Sequence, residues 1–144
     1  MAVALPYFAF VAVFQEVLFR GVLLHMLMRR LGFWAAAALT SLAFSAIHLG
    51  QMIDVGLEIE IAGLVCLFLF GMLCALSVPR TGSIWWAVGL HGAWNLTQDW
   101  VVRLMPDRAD DWLGGGALGL EASPLTIALL VAGLIAWSRR GPRH

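Results

Sequence analysis

The sequence contains no lysine, and charge of either sign is scarce: ionised residue types make up 12% of its 144 residues, against 61% hydrophobic. With a mean hydropathy of +0.86, there is too little polar surface to coat a water-soluble domain, and that class is excluded. Cysteine is nearly absent. Cys66 and Cys74 stand eight positions apart in one apolar run, where a straight helix holds them too far apart for a disulfide, so buried, reduced thiols are expected. The first segment lacks a basic start and a small-x-small cleavage pattern before Arg29, so it reads as a mature helix rather than a secretory leader. There is no internal repeat. Nine arginines balance nine carboxylates, and nothing in that balance marks a nucleic-acid partner.

What is present is apolar sequence in five runs, about 3–28, 33–49, 61–78, 82–98 and 122–138. At ~1.5 Å rise per residue even the shorter runs reach ~26 Å, close to a ~30 Å hydrocarbon core. The fold class expected is all-α: a polytopic transmembrane bundle of about five spanning helices, forming one membrane-embedded domain over 1–144. "VPRTGS" at 78–83 reads as a tight connection. The glycine-rich, acidic stretch 106–124 is the longest connection and the expected flexible one.

Arginine sets the orientation. With alternating crossings, one side collects Arg29, Arg30, Arg80, Arg139, Arg140 and Arg143 and no acid, whereas the other holds Arg103 and Arg108 among eight carboxylates. By the positive-inside rule the first side is cytoplasmic, with the N-terminus outside and the C-terminus inside. Trp34, Trp85, Trp86 and Trp137 fall near cytoplasmic ends, and Trp100 and Trp112 near the other face, as interfacial anchors do. Arginine without lysine and the compact size suit a prokaryotic inner membrane.

Several polar residues lie at membrane depth, where each needs a partner or trapped water. Gln15, Glu16 and Arg20 lie in the first run, His48 ends the second, and His91 and Asn95 lie in the fourth. The pairs Glu16 and Arg20, Phe44 and His48, and His91 and Asn95 are each spaced i, i+4, on one helix face. Counted from the cytoplasmic ends at ~1.5 Å per residue, Glu16 lies ~20 Å deep, His48 ~22 Å, His91 ~12 Å and Asn95 ~18 Å, so they can form one layer. Plainer uses exist for each: a self-neutralising ion pair for Glu16 and Arg20, an interfacial position for His48, interhelical hydrogen bonding for His91 and Asn95. His25, near the cytoplasmic end of the first helix, reads as a residue without a task, and His144 as part of a tail.

"QEVLFRG", "FSAIHLG" and "HGAWN", in that order on successive hydrophobic helices, resemble the three motifs of the CPBP intramembrane peptidases, the CAAX protease and bacteriocin-processing family, written Glu-Glu-x-x-x-Arg, Phe-x-x-x-His and His-x-x-x-Asn. The resemblance covers about residues 10–100. It implies peptide hydrolysis inside the membrane, on a membrane-associated peptide or protein. In the family the glutamates of the first motif and the histidine of the second activate a water; carried over, His48 assists the base, Arg20 holds Glu16 in place and ionised, and His91 with Asn95 donates to the oxyanion.

Two departures from the family pattern matter. Gln15 stands where the first glutamate of the family pair is expected, and an amide keeps the shape of a carboxylic acid without its basicity. Three accounts compete: an engineered substitution, a natural pseudoenzyme, or a branch in which Glu16 is the base. Relatives also commonly carry helices before the first motif, which implies a truncated or minimal version whose missing wall a homodimer or partner membrane protein supplies. No cofactor is expected; the alternative is zinc held by Glu16, His48 and His91, although the usual His-Glu-x-x-His spacing is absent. Against the peptidase stand a non-catalytic adaptor or chaperone that retains the peptide groove, and a small transporter or proton-relay subunit, disfavoured by the short chain and its single acidic membrane position.

Overall fold

A computed structural model describes residues 4–51, 56–104 and 111–139, and the described chain is five helices joined by turns and short 3-10 segments. Helix α1 runs over residues 4–31 without a break: α-helical over Ala4–Glu16, widened to a π-helix over Val17–Leu23, then α-helical again over Leu24–Leu31. Gly32, at φ 73°, ends it and starts α2, Phe33–Ala46. That backbone angle belongs to the left-handed region, which favours glycine. The remaining helices are α3, Leu57–Thr81, α4, Trp85–Leu104, and α5, Pro124–Ser138. Ser123 caps α5, its hydroxyl accepting from the Thr126 N–H, and Pro124 begins the first turn, where its missing donor costs nothing.

Among the described residues, three stretches, Leu5–Leu31, Leu57–Thr81 and Gly116–Ser138, are long and apolar enough to cross a bilayer. Helix α2, at 14 residues, is shorter than the expected run because the chain turns at Ile47, leaving His48 just past the helix rather than within it. Helix α3 begins at Leu57, earlier than the 61 expected, because Glu58 and Glu60 sit in its first turn, where the helix dipole favours carboxylates. It also continues through Pro79 to Thr81. Helix α4 extends past 98 to Leu104, its exposed end held by an Arg103 to Asp99 ion pair of 2.8 Å.

Helix α3 is the hub, packing against α2, α4, α5 and the 3-10 segment Gly116–Ala122, while α1 packs on α2 and α4. Small residues make these approaches close: Ala12 of α1 and Ala36 and Ala37 of α2 are fully buried. The outward faces are apolar. Phe10 is 68% exposed and Leu129 73%, an arrangement costly in water and natural in lipid. Cys66 and Cys74 are free and buried, as expected.

The ends that gather the arginines meet. Arg80 Nη2 donates to the Ser138 carbonyl at 3.5 Å, and the Trp86 and Trp137 rings lie edge to face at 5.4 Å. Arg108, Arg140, Arg143 and His144 lie outside the described residues. The second half of the connection expected to be flexible is instead docked. Gln98 of α4 donates through Nε2 to the Leu118 carbonyl and accepts through Oε1 from the Leu120 N–H at 3.0 Å. Residues 106–110 of that connection lie outside the described residues.

Candidate active site

Two buried charges organise the interior. Glu16 and Arg20 are both 0% exposed, and Arg20 Nη1 donates to Glu16 Oε1 at 3.1 Å. Buried ions need more than each other, and both have it. Arg20 Nη2 donates to the carbonyl of Gly71 in α3 at 2.8 Å, and the guanidinium lies over the Phe44 ring, 4.8 Å from its centroid. The negative face of that ring contributes to balancing the cation. With its proton on Nδ1, His91 of α4 donates to the same Glu16 Oε1 at 2.8 Å.

Gly71 permits this approach. A Cβ there would lie 2.9 Å from Ser41 Cβ and 3.1 Å from Arg20 Nη2, inside van der Waals contact with both, so α1, α2 and α3 meet at a point only glycine fits.

An aromatic frame fixes the imidazoles. The His91 ring meets Phe44 edge to face at 5.4 Å and Phe70 at 5.8 Å, and Phe70 packs on Trp94 at 4.8 Å. His48, half-buried in the turn after α2, lies 4.9 Å from the Phe44 ring. Its Nδ1 is 2.8 Å from the Phe44 carbonyl. That carbonyl can only accept, so the neutral imidazole carries its proton on Nδ1 and keeps Nε2 as a lone pair. Phe44 therefore contacts both histidines and Arg20.

The structure joins Glu16, Arg20 and His91 through direct bonds, and His48 to them through Phe44. Gln15 and Asn95 are half-buried, and their side chains make no hydrogen bond to the described residues. Glu16 Oε2, Gln15 Oε1 and Arg20 Nε are buried and likewise take no partner among them. The acid thus has one oxygen committed to the protein and one uncommitted.

Among the described residues, no group of three or more His, Cys, Asp or Glu side chains is placed to hold a metal ion. Separately, a hollow of about 920 Å³ between the start of α1 and the end of α4, bordered by Leu5, Leu96, Trp100 and Leu104, shares no lining residue with the cluster.

Sequence reasoning missed Gly71, Phe70 and Trp94 as parts of this centre, and it missed His25, whose Nδ1 lies 2.8 Å from the Arg20 carbonyl. A glycine in the middle of a long apolar helix was the one available signal.

A family model described as Type II CAAX prenyl endopeptidase Rce1-like matches residues 1–97. No curated protein and no solved structure shows significant similarity to the chain. The matched region contains all the residues of the cluster and stops before the docked segment Gly116–Ala122.

Proposed function

The chain belongs to the Rce1-like family of type II CAAX prenyl endopeptidases, and we propose that it hydrolyses a peptide bond in a membrane-associated, prenylated substrate at the Glu16, Arg20 and His91 cluster. The observation that supports this most is a fully buried carboxylate held on one oxygen by two donors, with its second oxygen uncommitted. In this reading Glu16 Oε2 takes a proton from a water whose oxygen attacks the substrate carbonyl. The tetrahedral intermediate then collapses as Glu16 returns that proton to the leaving amine. General-base assistance of this kind contributes about 10²–10⁴ in rate.

The histidines take separate parts. An imidazolium at His91 keeps its Nδ1–H on Glu16 and offers Nε2–H to the oxyanion, with the Asn95 amide as second donor. One such donor in a water-poor site contributes about 10²–10³. His48, its Nδ1–H engaged by the Phe44 carbonyl, offers the Nε2 lone pair to orient the attacking water. Arg20 holds Glu16 in place through its Nη1–H and is itself held by the Gly71 carbonyl.

Gln15 cannot act as the base, so the role falls to Glu16 alone, at a lower rate than a glutamate pair would give. That same residue favours a second reading, a non-catalytic membrane adaptor that retains the peptide groove. The proposed orientation places the ends carrying Arg29, Arg30, Arg80 and Arg139 in the cytoplasm.

The test is cleavage of a farnesylated peptide with a C-terminal CAAX sequence, with the protein in liposomes. Wild type is expected to release a product that Glu16→Gln and His91→Ala, folded by size exclusion in detergent, do not. Binding without turnover, unchanged by Gln15→Glu, would establish the adaptor instead.

A further inference from the structure

Glu16 and Arg20 are four residues apart, yet the backbone between them is not α-helical. Over Val17–Leu23 the helix is widened to the π form, in which each N–H reaches five residues back instead of four. A π turn set inside an α-helix carries a cost where it ends, because one carbonyl is skipped as the register returns. Here that carbonyl can be named. The Leu24 N–H bonds the Phe19 carbonyl, five residues back, and so does not serve the Arg20 carbonyl, its α-helical partner. The Arg20 carbonyl receives the His25 imidazole instead, Nδ1 to O 2.8 Å. At membrane depth an unserved backbone carbonyl has no bulk water to turn to.

We infer that His25 is a positioning residue for the active centre: its Nδ1–H closes the π turn on the Arg20 carbonyl and thereby fixes the direction in which the Arg20 side chain leaves the helix. The π turn matters because it has more residues per turn than an α-helix, so the four-residue step from Glu16 to Arg20 rotates the side chain by a different angle. That angle puts one nitrogen of Arg20 on Glu16 and the other on Gly71. Fixing the carbonyl of Arg20 fixes the peptide plane next to its Cα. His25 itself is exposed, touches neither Glu16 nor Gly71, and acts only through Arg20. Both the neutral Nδ1–H form and the imidazolium make this bond. The inference rests on the assignment of Glu16 and Arg20 as the active centre.

The test compares His25→Gln with His25→Met, two unbranched side chains of similar length that differ in a hydrogen-bond donor. Three readouts are taken on the full chain in detergent micelles: backbone amide exchange over residues 21–25, the guanidinium ¹⁵N resonance of Arg20 assigned through Arg20→Lys, and peptide cleavage. The Met form is expected to exchange about tenfold faster, the loss of one hydrogen bond, to shift the Arg20 resonance, and to lose about tenfold in kcat at unchanged KM through misplacement of Arg20. The Gln form keeps all three near wild type, and Met26→Ala, one position on and exposed, changes none. Exchange and resonance alike in the Gln and Met forms overturn the inference whether or not the chain turns over. Faster exchange in the Met form with an unmoved Arg20 resonance reduces His25 to a backbone staple and also overturns it. The assignment of the active centre fails on a different result, cleavage undiminished in Glu16→Gln, which leaves the exchange and resonance comparison intact.

Discussion

His91 Nδ1 lies 2.8 Å from Glu16 Oε1 across a sequence separation of 75 residues, and Arg20 reaches the same oxygen from one helical turn away. One carboxylate oxygen thus ties α1 to α4 at a depth where neither helix could carry its polar side chain alone. Removing Glu16 leaves Arg20 charged and buried, and breaking such a pair costs about 3–5 kcal/mol. Glu16→Leu is therefore expected to destabilise the fold by about 3 kcal/mol, and Glu16→Leu with Arg20→Met to recover most of it, because an apolar replacement of a whole buried pair is often neutral. Unfolding titrations in mixed micelles measure both, and the double variant should remain inactive.

Gly71→Ala tests the close approach of α1, α2 and α3. The added methyl meets Ser41 and the Arg20 guanidinium, and overpacking of this kind costs about 1–3 kcal/mol. Part of that loss should return in Gly71→Ala with Ser41→Gly, which removes the nearer of the two obstacles. An additive outcome in the same titration would show that the Ser41 contact is not the one that matters.

Residues announced themselves in the sequence where polarity stood out against an apolar run. Glu16, Arg20 and His91 were visible for that reason, and Phe44 by its place one turn before His48. Gly71 was invisible because its role exists only where three helices meet. Gln98 was invisible because its partners are backbone groups of Leu118 and Leu120, which leave no mark in side-chain pattern. His25 was dismissed because a skipped carbonyl arises from the backbone register of a π turn, which composition does not reveal. The five helices were legible from hydrophobic length, but a run begun at 61 left out the first turn of α3, where Glu58 and Glu60 are favoured by the helix dipole.

Gln15→Glu places a second carboxylate beside Glu16. Under the proposed mechanism kcat rises by about 10²-fold, the low end of general-base assistance, with little change in KM. Under the adaptor reading the same variant stays inert. Initial rates of peptide cleavage in liposomes separate the two.

Gln98→Ala frees the segment Gly116–Ala122 from α4. It removes one side-chain donor and one acceptor that serve backbone groups, a loss of about 1 kcal/mol for each bond. Amide exchange over residues 111–123 is expected to rise while exchange in α1 stays as in wild type. Uniform acceleration across the chain would mean instead that the segment is integral to the bundle.

In the proposed mechanism Glu16 and His91 act as one catalytic unit, and a double-mutant cycle on cleavage of the farnesylated peptide probes that coupling. Groups that work together are strongly non-additive: Glu16→Gln and His91→Ala should each remove nearly all turnover, and the double variant should be no worse than either. Independent, multiplicative losses, or a folded His91→Ala protein that cleaves like wild type, would contradict it.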